Sequence, residues 1–193
     1  LFNTAGNSMT ITPETTNNYG LYGAYMIVVY EDTNTTNKTI YINDGFDMLY
    51  NKDIYSINNT EATAYANYND VNTSQVGNAT VVAILAGADK TDQSKFYFNG
   101  AEYTGFWNDY NPTGAQTGFS TYDVTDALTD GVNFAAMQSY DNGSGGDNMY
   151  VLGNILTITY DTEAPTVTAD PVGGLFDTAQ TVTLTAADDI DTN

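Results

Sequence analysis

Histidine, cysteine and arginine are all missing from the 193 residues, and four lysines stand against 24 acidic side chains. Each absence removes a class of function. Without His or Cys, no Ser-His or Cys-His nucleophilic pair can be built. Zinc sites of the usual His/Cys kind fall on the same ground. A formal net charge of -20 without a guanidinium fork argues against nucleic acid, whose phosphates are held by Lys and Arg with release of counterions. It argues equally against an anionic membrane surface. No apolar run reaches the ~20 residues of a membrane helix, so no membrane insertion within this chain is expected. With no disulfide to staple it, the fold must rest on sheet packing or on a covalent bond of another kind.

What is present reads as β structure. A hydrophobic content of 41% suffices for a core, which sets the chain apart from disordered acidic tails. The length allows one domain, or one domain with part of a second. No segment sustains the i, i+3, i+4, i+7 apolar spacing of a helix. Short β-branched and aromatic stretches alternate instead with Asn/Asp/Gly/Thr clusters. They predict strands over Ser8 to Thr12, Gly23 to Glu31, Lys38 to Asn43, Phe46 to Tyr50, Ala62 to Tyr68 and Ala79 to Gly87. Further strands are predicted over Lys95 to Asn99, Phe119 to Val124, Val132 to Tyr140 and Tyr150 to Tyr160. Lys38-Thr-Ile-Tyr-Ile alternates, so one of its faces is expected to meet solvent. Met26-Ile-Val-Val and Val81-Val-Ala-Ile-Leu do not alternate, which predicts central strands covered on both faces. Ten strands at hairpin spacing imply an all-β, two-sheet sandwich of jelly-roll type over 1–160. After a linker over 161–165, Thr166-Val-Thr-Ala and Thr181-Val-Thr-Leu-Thr-Ala read as two more strands about a Gly173-Gly174 turn. Two strands alone cannot bury a core. Residues 166–193 are therefore expected either to open a partial immunoglobulin-like module or to be donated to a neighbouring subunit.

Carboxylate chemistry is the enzymatic option that composition leaves open, and it needs an acid and a base or nucleophile about 5–10 Å apart. The five glutamates, Glu14, Glu31, Glu61, Glu102 and Glu163, sit in no recognisable motif, and no catalytic residue is expected. Asp123 and Asp126, beside a strand end, suit turn capping. Asp141, Asn142, Ser144 and Asp147 in Asp141-Asn-Gly-Ser-Gly-Gly-Asp-Asn148 form the best candidate metal loop: clustered oxygen donors with glycines suit calcium, although no glutamate closes an EF-hand. A flexible hairpin connection explains the same residues. Asp188, Asp189 and Asp191 read as a solvated turn. Trp107, Asn108, Asp109 and Tyr110 offer rings and polar groups in a glycine-flanked loop, as a sugar-binding loop does; a lone Trp also serves as a core anchor. Lys38, Lys52, Lys90 and Lys95 are candidates for an isopeptide bond to Asn or Asp that would replace the absent disulfides; no motif identifies a pair, and an exposed lysine is the default. Asn34, Asn37, Asn58, Asn72, Asn78 and Asn142 open Asn-x-Ser/Thr acceptors. With the acidic, cysteine-free composition, these sequons predict a cell-surface or extracellular location. Leu1-Phe2-Asn3 reads as a mature or interior start rather than a signal peptide.

Two stretches carry resemblances. Gly20-Leu-Tyr-Gly-Ala-Tyr-Met-Ile-Val-Val-Tyr-Glu-Asp, then Lys38-Thr-Ile-Tyr-Ile-Asn-Asp-Gly-Phe-Asp-Met-Leu49, resemble a module of unassigned function from methanogen surface and adhesin-like proteins. Phe98-Asn99-Gly100, Trp107, Tyr122-Asp-Val-Thr-Asp-Ala-Leu128 and a final apolar strand follow in the order of that module, over about residues 18–160. Ala164-Pro-Thr-Val-Thr-Ala-Asp-Pro-Val-Gly-Gly-Leu-Phe-Asp-Thr-Ala-Gln-Thr-Val-Thr-Leu-Thr-Ala186 is similar to the opening of a chitobiase C-terminal-type immunoglobulin-like module. The resemblances imply an archaeal surface protein with a structural or adhesive role. From them and the unpaired tail comes the expectation of a homopolymeric filament, sheath or adhesin subunit, assembled through Thr166, Val167, Thr168, Phe176, Val182 and Leu184. The alternative is a calcium-dependent, glycan-binding lectin module.

Overall fold

The computed structural model describes residues 10, 24–88, 92–103 and 116–188. Ten strands follow in order: β1 (Lys38–Tyr50), β2 (Thr63–Val71), β3 (Val76–Ala86), β4 (Ser94–Phe98), β5 (Ala101–Tyr103), β6 (Thr117–Asp123), β7 (Gly131–Ser139), β8 (Asn148–Tyr160), β9 (Thr166–Asp170) and β10 (Thr183–Ala187). Among the described residues there is no α-helix, only two 3-10 turns at Asp53–Tyr55 and Thr125–Ala127. Two four-stranded sheets form the sandwich, one ordered β1-β8-β3-β6 and the other β2-β7-β4-β5; β9 and β10 make a separate pair. All pairings are antiparallel. Every connection from β1 to β8 crosses between sheets except β4 to β5, so the expected jelly-roll-like sandwich is what forms.

The alternation of each strand places the core. Val81, Ala83 and Leu85 of β3 and Met149, Val151, Leu156 and Ile158 of β8 turn inward. They meet Tyr68 of β2, Phe96 and Phe98 of β4, and Ala135 and Met137 of β7. Aromatic rings fill the width between the sheets: Phe96 stacks on Tyr122 with centroids 4.8 Å apart, and Tyr68 meets Tyr41 edge-on at 6.0 Å. The continuous apolar run of β3 is central, as its pattern predicts. Its outward Ile84 and Ala86 are also buried.

Three expectations change. Lys38 to Asn43 and Phe46 to Tyr50 are one strand, joined across a bulge between Asp44 and Asp47. β5 was not predicted, although Asn99-Gly100 is a hairpin signal; both residues take positive φ, 47° and 86°. Gly23 to Glu31 is not a central strand: Ala24 to Glu31 pairs with no strand among the described residues, and Met26, Val29 and Tyr30 are exposed. Apolar side chains favour burial, but a strand also needs a neighbour's unpaired edge. The Tyr25 hydroxyl does engage a strand, donating to the Leu152 carbonyl at 2.9 Å. Of Ser8 to Thr12, only Thr10 lies among the described residues, and it carries no strand.

β8 has its own irregularity where Leu152 is extra relative to β3, while β1 sets two residues, Gly45 and Phe46, against it; Gly153 follows. A Cβ at Gly153 would stand 2.6 Å from the Asn43 carbonyl oxygen, a backbone atom held in the β1–β8 ladder. Gly153→Ala is expected to destabilise the fold by about 1–3 kcal/mol, as overpacking does, in urea unfolding. A neutral result would mean that β1 can retreat from β8 at the bulge.

Candidate functional site

The two bulges open a cleft. Where β1 leaves the β8 ladder, Gly45 and Phe46 fall outside the pairing, and the edge of β1 separates from β2 of the opposite sheet. The resulting cleft of ≈ 420 Å³ is lined by Asn43 to Asp47 of β1, Ala64 to Asn67 of β2, Met137 of β7, and Val151, Gly153 and Asn154 of β8. Its floor is polar. Asn154, 1% exposed, accepts the Tyr68 hydroxyl proton and, at 3.4 Å, an amide proton of Asn43. The same Asn43 amide donates to the Asn67 carbonyl at 3.2 Å, tying the sheets together beneath the opening. Burial holds the Tyr68 phenol well above its ordinary pKa, so it stays a donor. Beside the cleft, the exposed rings of Tyr65 and Phe46 turn to the outer faces of their sheets, Phe46 stacked on Tyr150 at 5.5 Å. Sequence reasoning missed this cleft. The signal available was the glycine inside Asn43-Asp-Gly-Phe-Asp47, which marks a bulge when it interrupts a strand pattern.

The predicted sites are dispersed. In the 141–148 loop, Asp141 Oδ1 accepts the backbone N–H groups of Gly143 and Gly145, both at 2.7 Å, while Asn142 Oδ1 accepts that of Ser144 at 3.2 Å. The loop is thus closed by its own amides. Asp147 is buried, and its carbonyl accepts the Ser139 hydroxyl at 2.6 Å. Asp141 also borders a second, polar cleft of ≈ 340 Å³ with Asn51, Asp53, Ser56, Asn58 and Asn59. Among the described residues no three His, Cys, Asp or Glu side chains group closely enough to hold a metal ion. Trp107, Asn108, Asp109 and Tyr110 lie outside the described residues, as do Lys90, Asp189 and Asp191. The Lys95 ammonium pairs with Glu102 at 3.0 Å and lies 3.8 Å from the Tyr140 ring centroid. Lys52 donates to the Tyr50 hydroxyl at 2.9 Å.

Five sequon asparagines, Asn34, Asn37, Asn58, Asn72 and Asn142, are exposed. Asn78 is not: it sits half-buried in β3, with its amide 3.4 Å from the Thr125 hydroxyl. In a host that attaches N-glycans, peptide mass mapping should find modification on exposed sequons and none at Asn78. Asp123 acts as the turn cap expected of it, accepting the Thr125 N–H at 2.9 Å and its hydroxyl at 2.7 Å. These bonds lower the Asp123 pKa, so its contribution is full above the unfolded value of about 4 and is lost as pH falls through the lowered folded value. Asp123→Ala should therefore melt below the parent at neutral pH. The gap should shrink toward pH 2; a gap that persists there unchanged would mean the carboxylate charge plays no part. Asp126 makes no such bond.

No curated protein matches the chain. Among solved structures, BpGH86A, a β-porphyranase of glycoside hydrolase family 86 from the human gut bacterium Bacteroides plebeius, is similar at 15% identity and a TM-score of 0.42. The similarity covers 69% of this chain and 23% of that one, so the chain spans less than a quarter of that enzyme's length. The family model described as "Protein of unknown function (DUF3344)" matches residues 1–159, and the chain belongs to that family.

Proposed function

We propose that the chain is a non-catalytic structural subunit of an archaeal extracellular filament, sheath or adhesin that assembles head to tail by β-strand addition. The observation that carries this reading is the β9–β10 hairpin. Its strands pair with each other from Thr166↔Ala187 to Asp170↔Thr183, and among the described residues the small sheet holds no third strand. Thr166, Val167, Thr168, Phe176, Val182 and Leu184 are all exposed, Val167 and Leu184 by 64% and 68%. An isolated two-stranded ribbon is marginal in water, and open apolar edges recruit further strands. Strand addition to another copy would bury those side chains and pair both free edges. The contact joins unlike surfaces, so it propagates rather than closes.

Other features agree with a passive, exported role. The described glutamates, Glu31, Glu61, Glu102 and Glu163, are exposed and lie on separate segments. The net charge of -20 keeps a polymer soluble through mutual repulsion. Five of the six sequon asparagines are exposed, where glycans would be tolerated.

Size-exclusion chromatography with light scattering tests the reading. The core and the side chains packed on it run from Tyr41 to Tyr160, so a chain ending at Asp161 keeps its core. The full chain is expected to form concentration-dependent polymers, whereas the shortened chain and the full-length Val167→Asp/Leu184→Asp variant stay monomeric. Polymers that survive loss of the hairpin, or a full chain monomeric at high concentration, would remove strand donation by this segment. Such a monomer would fit a hairpin completed by further strands of its own module.

A further inference from the structure

We infer that the free edge of β1, with the β1/β2 cleft beside it, is an acceptor for one extended apolar strand, and that its occupant is the chain's own segment 24–31, which closes over the edge as a strap. In the open form that segment is unpaired and is held near β8 by the bond from the Tyr25 hydroxyl to the Leu152 carbonyl. The inference does not depend on donation of the β9–β10 hairpin.

β1 ends its sheet and, among the described residues, pairs with β8 alone. The Asn37 carbonyl accepts the Tyr160 N–H at 3.0 Å, so in this antiparallel ladder the odd-numbered residues up to Asn43 bond to β8. The backbone N–H and C=O groups of Lys38, Ile40, Ile42 and Asp44 therefore point away from the sheet. Ile40 and Ile42 are also 39% and 44% exposed. An open edge with apolar side chains beside it is what a further strand covers.

Two separate observations select one register. The chain turns between segment 24–31 and β1: the Asp32 carbonyl accepts the Thr35 N–H at 3.3 Å, and Asp32 Oδ1 accepts the Asn34 N–H at 2.9 Å. A hairpin closed across that turn pairs Glu31 with Lys38. Counting back, Val29 meets Ile40, Ile27 meets Ile42 and Tyr25 meets Asp44. Asp44 lies opposite Gly153 of β8, the neighbour of Leu152. In that register Tyr25 stands two strand spacings from Leu152, about 9–10 Å, a span that a tyrosine side chain and its 2.9 Å bond cover. The tether of the open form is thus a bond that the closed hairpin would keep.

The side chains match in the same register. Directly opposed residues share a face, so Val29 and Ile27 would pack beside Ile40 and Ile42 on the outer face. Val28 and Met26 would fall beside Tyr41 and Asn43 on the inner face, with Met26 at the mouth of the ≈ 420 Å³ cleft that Asn43 lines. Met26 and Val29 are 58% and 56% exposed in the open form, and pairing draws apolar area of both out of water. The unbroken apolar run from Met26 to Tyr30 gains nothing in an unpaired segment; it suits a strand with both faces covered. In the assembly proposed above, a strand donated to this edge must first displace the strap, and that consequence alone rests on strand addition.

The chain has no cysteine, so engineered disulfides report the register in the full chain. Val29→Cys/Ile40→Cys is expected to oxidise within one chain about tenfold faster than Tyr30→Cys/Ile40→Cys, whose Cβ atoms would point to opposite faces. Amide hydrogen exchange reads the edge without a cross-link. The Ile40 and Ile42 N–H groups are expected to exchange about tenfold more slowly in the parent than in Val29→Pro, which deletes an N–H facing β1, while the β8 amides stay equally slow in both. Val29 lies outside the core, so the variant keeps the sandwich. Exchange at Ile40 and Ile42 as fast in the parent as in Val29→Pro would overturn the inference, as would equal oxidation of the two cysteine pairs. Disulfides formed between chains in preference to within them would overturn the choice of occupant and assign the edge to a second copy.

Discussion

The double pairing of β8 is the constraint on which the rest depends. β8 is bonded to β1 along one edge and to β3 along the other, and each ladder slips near Leu152–Gly153. Because one extra residue in a strand flips the side chains that follow, the slip decides which of β8's residues face the core. Val151 and Asn154 both point inward only because the bulge lies between them. Gly153 permits the close approach of β1 that the bulge requires. From that one irregularity come the divergence of β1, the opening to β2 and the polar floor beneath it.

Cysteine-free and short of ion pairs, the sandwich is closed at its ends by asparagine and threonine clamps. At one end Asn133, fully buried, accepts from the Asn99 amide at 2.6 Å and the Thr129 N–H at 2.8 Å, and donates to the Thr129 carbonyl at 2.7 Å. At the other, Ser139 bonds the Asn51 backbone at 3.0 Å and the Asp147 carbonyl at 2.6 Å. Gly146 lies so close to Ser139 Oγ and Asn51 Cβ that a side chain there would displace the clamp. Each such bond contributes roughly 0.5–1.5 kcal/mol, so the stabilisation is spread over many contacts. The high Asn and Thr content therefore has a structural reason as well as the surface one its sequons suggest.

The sandwich was legible from the chain because strand period and apolar continuity are local properties. Val81 to Leu85 reads as a buried strand and is one. Ala24 to Tyr30 reads the same way and lies outside the sheets, because pairing depends on a free edge that no local pattern encodes. The Asp123 cap was legible too, since an Asx turn is built within three residues. The cleft was not: its walls come from β1, β2, β7 and β8, and Asn43 and Asn154 stand 111 positions apart. The aromatic signal for a sugar site pointed to Trp107, which lies outside the described residues. Loop 141–148 showed its donors plainly in the sequence; only the backbone path shows that Asp141 is engaged by Gly143 and Gly145.

The Asn133 clamp also governs how the molecule ages. Asparagine followed by glycine is prone to succinimide formation, in which the glycine nitrogen attacks the side-chain carbonyl. Asn99-Gly100 has that composition, yet its amide is fixed by the Ala127 carbonyl at 2.8 Å and Asn133 at 2.6 Å, and its oxygen by the Phe134 N–H at 2.9 Å. Asn142-Gly143 has the same composition and one weak tether, to Ser144 at 3.2 Å. Deamidation will start there, next to Asp141, adding a negative charge to a loop already folded around one, and a sugar on the Asn142 nitrogen would stop that clock.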